Sequence, residues 1–214
     1  MKGARGYLTR TARHCSRRRL AAASQVEEVD PGIVAGLQIV KYPHPALRAA
    51  NVEVRESEFE TAEKLARRML DLMYEAKGVG LAAPQVGVNK RLMVFNPEGK
   101  RERWLDEVVF LNPKIVDSSK GRDSEPEGCL SFPDMQGNVD RAKWIKVEGL
   151  SPKGRKIKKK YTGWVARIFQ HEFDHLDGIV YVDRLNDQDR GAIQPKLDDL
   201  VQNHDGAKHG PPAL

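Results

Sequence analysis

The 214-residue chain has no apolar run approaching the roughly 18 residues that a membrane-spanning helix needs, so no membrane association is expected. Cysteine is nearly absent. Cys15 and Cys129 lie in dissimilar surroundings, which argues against a structural disulfide and against a small disulfide-stapled scaffold. Internal repeats are lacking, which excludes a solenoid. Acidic residues are missing until Glu27, although Lys2, Arg5, Arg10, Arg13, Arg17, Arg18 and Arg19 precede it. This basic, Ser/Thr/Ala-containing segment has no apolar core of the secretory kind, so residues 1–30 read as an organellar transit peptide or a disordered basic arm. The sequence pI near 9.3 belongs mostly to that arm, since the remaining charges nearly balance. The length suits one cored domain over residues 31–203, followed by a disordered tail at 204–214.

Within that domain, residues 37–41 look strand-like, and the following Tyr-Pro-His-Pro forces an extended turn. Apolar residues then recur at Leu65, Met69, Leu72, Met73 and Ala76, a spacing that predicts an amphipathic helix over 58–77 stopped by Gly78. Short alternating runs at 91–95, 108–111, 114–116 and 144–147 read as strands, and 151–154 as a hairpin turn leading into a strand at 155–160. A second helix spans 162–178, with Thr162 as N-cap and Gly178 as its terminal glycine. Trp164, Ile168, His171 and His175 share one stripe of it. A final helix is expected over 187–201, interrupted by Pro195.

His171-Glu172-Phe173-Asp174-His175 is an HExxH motif on the second helix. Histidines four apart are neighbours on a helix surface, so both imidazoles reach one metal ion while Glu172 projects beside it. A catalytic site needs a third ligand. Proteases with this motif find it downstream, as a glutamate or as the last histidine of a longer pattern. Here no glutamate follows Glu172, and Tyr181 occupies the position of that histidine. Upstream, Cys129 sits beside Gly128 in EGCLS and offers a thiolate for a Cys-His-His set suited to Zn²⁺ or Fe²⁺. Residues 78–85, GVGLAAPQ, lack the context of a phosphate loop, and Gln85 is a candidate oxyanion donor.

GVGLAAPQ, EGCLS and QHEFDH, in this order, together with Tyr42-Pro-His-Pro-Ala-Leu-Arg48, resemble the signature motifs of peptide deformylases over residues 38–185. The resemblance implies an α+β fold, with mixed or antiparallel sheets wrapped around a central HExxH helix and with N- and C-terminal helices. It implies removal of the formyl group from the formyl-methionine of nascent chains, in organellar protein synthesis. Cys129, His171 and His175 would be ligands of one divalent ion, Fe²⁺ by family expectation, with Zn²⁺, Ni²⁺ or Co²⁺ as alternatives in the isolated protein. Glu172 would carry protons, and Gln85 and the Leu130 N–H would stabilise the oxyanion. Val79, Gly80, Glu127 and Gly128 would lie along the substrate, and Trp164 and Ile168 would help Val79 wall a pocket for an unbranched thioether. His44 departs from the pattern, which places an acid there. The expected location is an organelle, plastid before mitochondrion, and the expected state a monomer or homodimer. DNA is not an expected partner. Lysines of residues 153–160 either guard an edge strand or let the enzyme approach the organellar ribosome.

Overall fold

The computed structural model describes Val34 and residues 36–214; the basic segment at 1–30 lies outside the described residues. Helix α1, Phe59–Glu75, buries Leu65, Met69, Leu72 and Met73, as their spacing requires. It closes with the Gly78 N–H donating to the Met73 carbonyl at 2.8 Å. Lys77, not Gly78, takes the left-handed conformation there, at φ 56°. Gly78 is needed for a different reason: a Cβ would lie 2.6 Å from Leu130 Cδ1.

Five strands form one antiparallel sheet in the order β1 (Gly80–Ala82), β2 (Leu92–Phe95), β3 (Val108–Ser118), β6 (Trp144–Leu150), β7 (Lys156–Thr162). The runs at 108–111 and 114–116 are one strand, since a register shift between Leu111 and Lys114 carries β3 past Asn112. β4 (Arg122–Cys129) and β5 (Phe132–Ala142) pair only with each other as a ribbon. Residues 37–41 do not form a strand, because their backbone divides its bonds between two segments. Val40 N–H donates to the Gln85 carbonyl at 2.8 Å and Tyr42 N–H to that of Ser131 at 3.0 Å, making a strap between them.

Helix α2, Gly163–Leu176, carries the HExxH motif. Thr162 occupies its N-cap without a side-chain capping bond, and Gly178, at φ 71°, follows its end as expected. Ala166, Ile168, Phe169 and Leu176 pack on Met93, Phe95, Phe110, Ile145 and Val147 of the sheet. Phe169 meets Phe95 and Phe110 edge to face. Each such buried side chain contributes about 1.5–3 kcal/mol. The ribbon lies against another side of the helix, so the chain is α+β, with α2 between two antiparallel layers.

Helix α3, Asp187–Gln202, runs through Pro195 instead of breaking there. Proline removes one helical bond, but Ile193 and Leu197 on either side of it are anchored in the cluster of Phe132, Met135 and Val139. The tail at 204–214 is also not without structure. It forms a turn of helix α4, Gly206–His209, capped by Asp205, and Ala213 N–H donates to the Pro43 carbonyl at 2.9 Å. His44 replaces the expected acid in kind, since its Nδ1 accepts the Ala46 N–H at 3.2 Å as a capping carboxylate would. No helix among the described residues is long and apolar enough to cross a membrane.

Candidate metal and active site

Three elements converge on one point. Cys129 closes β4, where the register slips after Gly128. His171 and His175 stand one turn apart on α2. One ligand atom from each of the three lies within 4.8 Å of the others, and Cys129 Sγ is 3.3 Å from His175 Nε2. A soft thiolate with two imidazoles is a donor set that fits a divalent transition ion.

Glu172 sits beside this cluster, 4% exposed, and its Oε2 has no hydrogen-bond partner among the described residues. An orphaned buried carboxylate oxygen next to three donors is itself a mark of a site built for a further group. Burial pushes the Glu172 carboxyl up to about 7, with Glu127 adding to the rise and His171 and Arg141 opposing it. Strand β1 passes so close that a Cβ on Gly80 would collide with the Glu172 carboxylate. Only glycine permits that approach.

Gln85, 1% exposed, lies in the 3-10 turn Ala83–Val86. Its Oε1 accepts the Ala82 N–H at 2.8 Å, which turns Nε2 toward Cys129 Sγ and Ser131 Oγ, each at 3.4 Å. The amide is therefore presented to the cluster as a donor. Leu130 lines the cavity next to Cys129, and Lys41 Nζ donates to its carbonyl at 2.5 Å.

Glu127 borders the cavity as expected, and it also makes buried contacts behind it. Its side chain is turned inward, 6% exposed, and accepts two bonds from Arg141 at 2.9 Å, one from Arg167 at 2.8 Å, and contacts His171 Nδ1 at 2.9 Å. Burial alone would raise this carboxyl, but His171 and Arg141 outweigh it and hold it at about 2. An ionised carboxylate on Nδ1 fixes the tautomer that leaves the other ring nitrogen free to ligate. Arg141 continues the chain to Asp174, which Arg184 also binds at 2.7 Å. Arg141, Arg167, Asp174 and Lys41 carry no motif signal as site residues; a buried cation at an apolar position of α2 or β5 is the only hint of the first two.

A cavity of about 920 Å³ opens onto the cluster, and Val79, Gly80, Gly128, Leu130, Trp164 and Ile168 all border it. Trp164 does not join the buried stripe. It is 52% exposed at the cavity wall, with Nε1 donating to the Pro97 carbonyl at 3.2 Å, whereas Ile168 is 3% exposed. Tyr181, in the place of a protease's third histidine, is buried in the cluster of Phe132 and Val180, with its ring 6.3 Å from that of His171.

This arrangement has close counterparts. A rice protein, the chloroplastic peptide deformylase 1B, is 41% identical over 192 residues, covering 87% of this chain and 71% of the rice protein. A peptide deformylase of Rhodopirellula baltica is 40% identical over 169 residues, 79% of this chain and 83% of its own. The crystal structure of a Plasmodium falciparum peptide deformylase superposes with a TM-score of 0.75 at 40% identity, covering 78% of this chain and 96% of that one. The polypeptide deformylase family profile matches residues 36–191, which take in the strap, Gln85, Cys129 and the whole HExxH helix. By sequence and by fold, this chain belongs to the polypeptide deformylase family.

Proposed function

We propose that this enzyme hydrolyses the formyl group from the N-terminal formyl-methionine of nascent polypeptides, using a divalent ion held by Cys129, His171 and His175. The observation that carries the reading is the convergence of these three donors beside the unpartnered, buried Glu172. A bound divalent ion would supply Lewis acidity to a water and to the formyl oxygen. Glu172, with its carboxyl near 7, accepts a proton at neutral pH and returns it to the departing amine as the formyl C–N bond breaks, giving formate and a free N-terminus. Gln85 Nε2 and the Leu130 N–H donate to the oxyanion, and losing one such donor costs turnover roughly 10²–10³-fold. Glu127 acts through His171 as a positioning residue. Val79, Gly80, Gly128, Trp164 and Ile168 shape the substrate space, with Val79, Trp164 and Ile168 walling the methionine side chain.

The donor set suits Fe²⁺ as the working ion, with Zn²⁺, Ni²⁺ or Co²⁺ able to replace it. The chloroplastic label of the rice relative and the acid-free basic segment before Glu27 both support an organellar, plastid location. The test is formate release from formyl-Met-Ala by Fe²⁺ and Zn²⁺ forms prepared without oxygen. Glu172→Ala should keep its metal and lose turnover by about 10²–10⁴-fold. A folded, metal-loaded protein that releases no formate in either form defeats the assignment.

A further inference from the structure

The outer face of the five-stranded sheet concentrates positive charge that neither the fold nor the cavity uses. Lys156, Lys158 and Lys160 alternate along the edge strand β7 and point to the same face as their cross-strand partners Leu150, Glu148 and Lys146. Lys153 and Arg155 extend the row into the hairpin turn. Acids answer only part of it: Glu148 pairs with Lys158 at 2.7 Å and Asp117 with Lys146 at 2.8 Å. Lys156, Lys159 and Lys160 form no ion pair with any described residue.

Protection of an exposed strand edge explains a lysine or two on β7. It does not explain Lys146, which is on the interior strand β6 directly opposite Lys160. Like charges facing each other across an antiparallel pair are destabilising, and the single carboxylate of Asp117, beside Lys146 and felt by Lys160, offsets only one of the two. Both ammonium groups also approach one aromatic ring, that of Trp144, with Lys160 Nζ 4.6 Å and Lys146 Nζ 5.6 Å from its centroid. Ammonium groups in a row beside an indole match a phosphate backbone whose charges repeat along a line and whose bases stack on aromatic rings, a combination that an acidic protein surface does not offer. The row has a direction too. β7 runs straight into α2, so its Thr162 end adjoins Trp164 at the cavity wall, while its far end reaches the turn where Gly154 meets Phe59 of α1.

We propose that the β6–β7 face is an RNA-binding surface, with Lys156, Lys158 and Lys160 on phosphates and Trp144 against a base, holding RNA beside the cavity mouth. The surface reads charge and stacking, not base sequence.

The test uses the full chain and a fluorescently labelled single-stranded RNA of mixed sequence, with anisotropy followed across a salt series. Charge on residues 1–30 is common to every variant and cancels in the comparison. The K156Q/K158Q/K160Q variant should bind more weakly, and its log affinity against log salt should flatten by about 2, at roughly 0.7 per lost phosphate contact. Its turnover of formyl-Met-Ala should stay as in the parent, and its melting temperature should not fall below it. K160Q alone should flatten the slope by less than 1 and serves if the triple variant aggregates. Unchanged affinity and slope in both variants overturns the proposal, and so does displacement of the RNA by poly-glutamate as readily as by unlabelled RNA, which would point to an acidic protein instead.

Discussion

Helix α2 is held in two different ways. Toward the five-stranded sheet it packs through Ala166, Ile168 and Phe169, with no charged group in that cluster. Toward the ribbon it is tied by Arg167 to Glu127 and by Asp174 to Arg141, all buried. Apolar packing is non-directional, so it sets how deep the helix sits and tolerates small shifts. Charge-assisted hydrogen bonds fix orientation as well as distance, and Arg167 adds bonds to the Val139 and Asp123 carbonyls of the ribbon, each at 2.7 Å. The directional contacts, to which Glu127 on His171 and the Gln170 amide on the Ala142 backbone add, lie on the side where His171 and His175 approach Cys129. Glu58 and Lys90, 4% and 3% exposed and paired at 2.6 Å, form a separate buried ionic contact at the N-terminal end of α1, away from the cavity.

Removing one member of the directional side should have the largest effect. Arg141→Met leaves Glu127 and Asp174 buried with fewer cations and is expected to cost about 3–5 kcal/mol, read from the urea midpoint. A cost below 1 kcal/mol would erase the contrast between the two sides. Glu127→Gln should weaken metal binding about 10–100-fold in a competition titration with a chelator, because His171 loses the partner that orients it. On the apolar side, Ile145→Val should cost only about 0.5–1.5 kcal/mol and leave metal affinity unchanged. An equal loss of metal affinity in this variant would show that the sheet side aims the ligands too.

The smallest effect concerns acid stability at the distant pair. Burial alone would raise the Glu58 carboxyl, but Lys90 and the backbone and side chain of Arg55 outweigh it and hold it below the ordinary range. Its folded pKa is thus depressed, so its contribution is present above the unfolded value of about 4.3 and is lost as pH falls through the folded one. Stability curves of the parent and Glu58→Gln should therefore converge on acidification below about pH 4. Parallel curves over that window would contradict the pairing.

The sheet side is also the side that sequence patterning reveals. β2, β3 and β6 alternate or run apolar, β7 follows from the hairpin turn before it, and α1 and α2 show helical spacing, so their existence is readable. β1 is hidden because three residues inside GVGLAAPQ look like a small-residue loop. The ribbon is hidden for a clearer reason. The inward positions of β5 are Met135, Gly137, Val139 and Arg141, and an alternation that includes a glycine and an arginine does not register as hydrophobic. Gly137 is there because Leu185 packs onto it, where a Cβ would be 2.6 Å from Leu185 Cδ2. Arg141 is there for Glu127. Both depend on partners more than ten residues away, which no local pattern encodes. The proposed ligands are readable because a motif compresses them into short strings. The EGCLS string places Glu127 at the cavity but does not show that its side chain also reaches Arg141, Arg167 and His171.

Cys129 is the only cysteine among the described residues, a free thiol half-open to the cavity rather than sealed in the core. Its sulfur is therefore both a proposed ligand and a chemical handle. An alkylating reagent can reach it only when it is not engaged, so protection of this thiol, read on its own peptide after digestion to separate it from Cys15, gives a direct footprint of site occupancy. Preparations that differ in iron content or in exposure to air could then be ranked by the fraction of chains labelled, without any substrate present.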